Sequence, residues 1–144
     1  MYKNVLVGTD GSGTADKAVQ AAADLARQLG AQLHIATAYR PSGPGMGEAA
    51  GAALASAPTE GIAREAAESV TESAEADFAA GLQVTRHSVS GHAADAILDC
   101  AEKVGADLIV VGSKGMHGAR RFLGSVPNSV AHGAQCAVLI VKTD

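Results

Sequence analysis

Residues 106–113, ADLIVVGS, decide the fold. Leu108, Ile109, Val110 and Val111 follow one another with no polar residue between them, and Gly112 closes the run. A strand with one face in water alternates apolar and polar side chains, so an unbroken aliphatic run predicts a strand covered on both faces. A sheet built from such strands needs helices on either side of it.

The same texture recurs along the chain. KNVLVGTD (residues 3–10), AQLHIATAY (31–39), LQVTRHSV (82–89) and CAVLIVK (136–142) read as four more strands. Helical spacing fills the intervals. Ala18, Val19, Ala22, Ala23, Leu25, Ala26 and Leu29 recur on one face, with Ser12 as a hydroxyl cap and Gly30 as the stop. An Ala- and Glu-rich helix is expected over residues 59–80, closed by Gly81. A third, over 91–104, places Ala94, Ile97, Leu98 and Ala101 together and ends at Gly105. Ser125, read as a cap, and Pro127, in a first turn where no amide bond is lost, begin a last helix that Gly133 ends. Residues 40–58, rich in Gly, Pro, Ala and Ser, have the composition of a flexible loop.

The order is βαβ-loop-αβαβαβ. With right-handed crossovers it predicts an α/β fold: a doubly wound five-stranded parallel sheet with helices on both faces. Residues 1–144 are expected to form a single domain, with strands one and four as its central pair.

Composition narrows the function. Aromatic residues make up only 3%, so aliphatic side chains must build the core. The net charge of −4 argues against nucleic acid or an anionic membrane as partner. No apolar segment approaches the ~20 residues of a membrane span, and the N-terminus reads as a strand rather than a leader. A cytoplasmic location is expected. The two cysteines, Cys100 and Cys136, form no CxxC and read as reduced thiols. The five histidines show no HxxxH or HExxH spacing, so no metal site is expected.

In a doubly wound sheet, ligands bind beyond the carboxyl ends of the strands, where the strand order reverses. Those ends here are VGTDGSG (7–13) and VVGSKG (110–115), both rich in glycine. Glycines let a backbone approach a ligand, and free amides at a helix start attract anions. Ser125 adds a hydroxyl at a helix start, and Lys114, Arg120 and Arg121 add positive charge. The combination reads as a phosphate site. Asp10, just past strand one, is placed to accept a ribose hydroxyl or to meet Mg²⁺ beside phosphates; a turn or cap role is compatible with either. No P-loop, GxGxxG or GxSxG motif is present, and no catalytic residue is assigned.

These residues resemble the universal stress protein family, in its small single-domain nucleotide-binding form. The resemblance spans the chain and rests on VLVGTDGS, ADLIVVGSKG and LGSVPNSVAHGAQCAVLIV. It implies the strand order 3-2-1-4-5 of the adenine nucleotide alpha hydrolase-like fold. The family's phosphate pattern is Gly, two residues, Gly, nine residues, then Gly-Ser or Gly-Thr. Here Gly112 and Gly115 supply its first half and Gly124-Ser125 its second, after a spacer of eight residues. The shorter spacer changes the approach to the cradle and bears on whether a triphosphate fits.

The resemblance also implies roles. Gly8, Thr9 and Asp10 would line the base and ribose, Ala38 would meet the adenine, and Val111 and Gly112 would flank the nucleotide. Gly115, Gly124, Ser125 and Val126 would hold phosphate, with Lys114 and Pro127 in the same loop and helix start. The implied ligand is ATP, with Mg²⁺ in that case, or cyclic AMP. The implied assembly is a homodimer through the last strand, whose apolar edge needs cover. Three functions follow. The first is an adenine-nucleotide sensor or buffer in stress response; the second, a slow Mg-dependent ATP hydrolase or phosphotransferase using Asp10 and Lys114 or Arg120. The third is a flavin carrier, which the lack of Trp disfavours.

Overall fold

The computed structural model describes residues 1–40, 59–113 and 123–143. The elements run β1 (Asn4–Gly8), α1 (Gly13–Leu29), β2 (Gln32–Tyr39), α2 (Glu60–Phe78), β3 (Val84–Ser90), α3 (Ala93–Val104), β4 (Leu108–Gly112), α4 (Ser125–Gly133) and β5 (Ala137–Val141). The expected loop over 40–58 lies, apart from Arg40, outside the described residues.

All neighbouring strands pair in parallel, in the order β3-β2-β1-β4-β5. The aliphatic runs are explained by where alternate side chains go. Val5, Val7, Leu33, Ile35, Leu108 and Val110 face a layer made by α1 and α2. Leu6, Ala36, Ile109 and Val111 face a second layer made by α3 and α4. Each central strand therefore feeds two cores, and both parities of position are mainly apolar, with His34 and Thr37 of β2 as buried polar exceptions. Burying each such Val, Leu or Ile contributes about 1.5–3 kcal/mol.

Helix α1 lies close on the sheet because its inner face is Ala18, Val19, Ala22, Ala23 and Ala26, all fully buried. Ser12 Oγ accepts from Ala15 N at 3.2 Å, and Gly30 closes the helix at φ 64°. Helix α2 begins as expected, with Thr59 Oγ1 accepting from Ile62 N. Gly105 ends α3 in the left-handed region.

The last helix departs from the reading of its start. Gly124 is its N-cap and Ser125 its first helical residue, and no side chain caps it. Pro127 sits buried in the first turn, where proline loses no helix hydrogen bond. Gly133 ends α4, and a Cβ there would stand 2.6 Å from Leu98 Cδ1, so the glycine also lets α3 pack closely.

Candidate functional site

A cavity of about 160 Å³ opens at the carboxyl ends of the central strands. It lies where the chain direction across the sheet reverses, between β1 and β4. β1 contributes Gly8 to its wall, the turn after β1 contributes Thr9 and Asp10, β2 contributes Ala36 and Ala38, and β4 contributes Val111 and Gly112. Val126 and Pro127 enter from the first turn of α4. Eight of the residues singled out from the sequence thus meet at one place. Gly124 and Ser125 stand immediately before Val126, and Gly124 N donates to Ser113 O at 3.2 Å, tying the start of α4 to the end of β4. Lys114 and Gly115 lie outside the described residues.

The sequence reading missed several wall residues: Ser12, Thr14 and Ala15 from the start of α1, Ala93 and Ile97 from α3, and Thr143 from beyond β5. Three helices therefore aim their N-termini at this cavity. In α1 the Ser12 hydroxyl engages an amide of the first turn. In α3 the N-cap is His92, and in α4 it is Gly124; neither provides a side-chain cap bond. The first-turn amides of a helix have no partner within the helix, and its N-terminus carries partial positive charge. Two uncapped N-termini converging on one cavity suit an anion.

The loop after β1 is held by its own side chains. Thr9 N donates to Ala36 O at 2.9 Å, and Thr37 Oγ1 donates to Thr9 O at 2.9 Å. Thr9 Oγ1 accepts from Gly11 N, and Asp10 Oδ1 accepts from Ser12 N at 2.9 Å. Asp10 is thus a turn aspartate whose exposed carboxylate also lines the cavity.

Two cavity glycines have packing reasons of their own. A Cβ on Gly8 would stand 2.5 Å from Ile97 Cδ1, and one on Gly112 would stand 3.0 Å from Thr143 Cγ2. Close approach at these positions is first an approach of protein to protein.

The histidine pair His34 and His87 lies outside the cavity wall. His34 is buried on β2, with its Nδ1 3.0 Å from His87 Nε2 on β3 and the two rings stacked. Burial lowers the pKa of both imidazoles, and His87 lowers that of His34 further. His34 Nε2 is buried with no hydrogen-bond partner. Cys100 is a buried free thiol, its pKa pushed up to about 11 by burial, and Cys136 is free and half-buried. Among the described residues no group of three or more His, Cys, Asp or Glu is placed to hold a metal ion, and no helix is long and apolar enough to cross a membrane.

Comparison with known proteins gives a family match along nearly all of the chain. The model of the universal stress protein family matches residues 1–142. Universal stress protein Rv1636 of Mycobacterium tuberculosis strain H37Rv is 38% identical over 153 residues, covering 99% of this chain and 97% of its own. Universal stress protein A homolog 1 of Coxiella burnetii is 30% identical, covering 97% of this chain and 96% of its own. A universal stress protein solved in complex with cAMP superposes with a TM-score of 0.70 at 35% identity, covering 99% of this chain and 98% of its own.

Proposed function

The chain belongs to the universal stress protein family, and from that premise we propose that it binds an adenine nucleotide in the cavity at the ends of β1, β2 and β4. One observation carries the reading: two helices without side-chain caps, α3 and α4, open onto a cavity that also holds the turn carboxylate of Asp10. Anion affinity at one part and a hydroxyl acceptor at another match a sugar phosphate. The cAMP complex of a relative at 35% identity supports an adenine nucleotide as the guest.

In this reading the base lies against Ala38, and Asp10 takes a ribose hydroxyl through its exposed carboxylate. Val111 and Gly112 flank the nucleotide, and the phosphate meets the amides of Ser125 and Val126 and the Ser125 hydroxyl beside Gly124, with Gly115 and Lys114 completing the loop. Where the guest is ATP, Asp10 is also the carboxylate available to Mg²⁺. The protein acts in the cytoplasm as a sensor or buffer in stress response. The apolar edge strand β5, on which Leu139 is exposed, pairs with a second copy.

Equilibrium dialysis with cyclic AMP and ATP tests the reading. Saturable binding of at least one is expected, and competition by the other. Absence of binding by both at millimolar concentration contradicts it.

A further inference from the structure

We propose that Thr143 is a specificity-determining residue of the cavity. It closes the β5 end of the site and favours a compact single phosphate over an extended polyphosphate. The inference rests on the nucleotide reading above and adds to it the residue that limits the guest.

Ala38 and Gly112 stand in the carboxyl ends of β2 and β4, and Asp10 and Thr143 stand just past those of β1 and β5; in the order β2, β1, β4, β5 these strands are successive neighbours in the sheet. A guest that starts at Ala38 and lies across the strand ends meets Thr143 after three inter-strand steps, about 14 Å. A nucleoside with one phosphate fills such a span. A triphosphate tail that keeps its direction runs into Thr143 and must turn aside.

Thr143 is a fixed wall. It is only 2% exposed although it stands near the end of the chain. Its amide donates to Ser113 Oγ at 3.2 Å, and its carbonyl accepts from Lys17 Nζ at 3.2 Å. Ser113 N in turn donates to Val141 O at 2.8 Å. Strand β4 and helix α1 therefore hold the segment after β5 from two sides. The Thr143 methyl lies over the Cβ direction of Gly112, where a Cβ would stand 3.0 Å from it. Only glycine at 112 admits the methyl without displacement, and the methyl occupies space that a bare Gly112 would leave to a ligand.

The test is isothermal titration calorimetry on the full chain with cyclic AMP, AMP and ATP, each variant first checked by thermal melting. Wild type should bind the monophosphates more tightly than ATP. Thr143→Gly should raise the affinity for ATP relative to cyclic AMP by about tenfold, ~1.4 kcal/mol. Thr143→Ser, which removes only the methyl on Gly112, should move the ratio the same way by less and serves if the glycine variant fails to fold. Thr143→Leu should move it the opposite way. An unchanged ratio in folded Thr143→Ser and Thr143→Leu, with wild type still binding, overturns this inference and leaves the nucleotide reading standing. Failure of wild type to bind any of the three overturns the nucleotide reading, and this inference with it.

Discussion

At the scale of single residues, Ser12 does two things at once. Its hydroxyl caps α1, and its side chain stands in the cavity wall. Ser12→Ala should cost about 1 kcal/mol of stability, read from urea denaturation, because a first-turn amide loses its acceptor. Gly13, next along, is the opposite case: nothing lies within 4 Å of a Cβ built there. Gly13→Ala should stabilise the protein by about 0.5 kcal/mol in the same assay, by restricting the unfolded chain. His34 and His87 should contribute to the acid limb of stability. Both have folded-state pKa values below the ordinary 6.5, so below that pH the unfolded chain binds protons that the folded chain refuses. Stability should therefore fall as pH drops from about 6.5 toward the lowered folded values. His34→Leu should flatten that fall in melting temperature against pH; a slope identical to wild type would contradict the assignment. Neither the histidine pair nor Thr143 was legible in the sequence. His34 and His87 are 53 residues apart, and only the β2–β3 register brings them together. Thr143 reaches the cavity only because the segment after β5 is tied to Ser113 and Lys17.

At the scale of elements, the sequence was most legible where one local rule decided the outcome. Gly30 and Gly105 end helices because each must adopt a positive φ of 64°. Ser12 and Thr59 begin helices because their hydroxyls reach a first-turn amide. Ser125 was misread because Gly-Ser-Val-Pro satisfies the same rule at two adjacent positions. The chain places glycine at the cap, which leaves the α4 amides without a side-chain partner. Amides left in this way are the ones the proposed phosphate would meet. The cavity glycines show a second limit. Loop composition suggested room for a ligand at Gly8, while packing gives it a further reason, the Ile97 side chain of α3. Gly8→Val should accordingly lower the melting temperature by forcing Ile97 off its place, with a cost of about 1–3 kcal/mol from overpacking. Retention of wild-type stability in that variant would contradict the packing described.

At the scale of the whole molecule, the sheet was legible because its central strands serve two cores. A requirement for apolar residues at both parities leaves a mark that no other element of this chain leaves. The outer strands carry less of it. β3 is polar and is covered in part by α2, where Arg86 meets Glu75 at 3.0 Å. β5 keeps an apolar edge, with Leu139 exposed. If that edge pairs two copies, Leu139→Lys should shift the sedimentation coefficient from dimer to monomer without unfolding the chain; an unchanged coefficient would place the contact elsewhere. The proposed nucleotide site lies where the order of strands reverses and helix starts gather. Amide chemical-shift mapping during titration with cyclic AMP tests it most directly. The account predicts shifts concentrated at Thr9, Asp10, Ala38, Gly112 and the first turns of α3 and α4. Shifts confined to the cavity beside Leu98 and Cys136, at the far ends of α3 and α4, or no shifts at all, would contradict it.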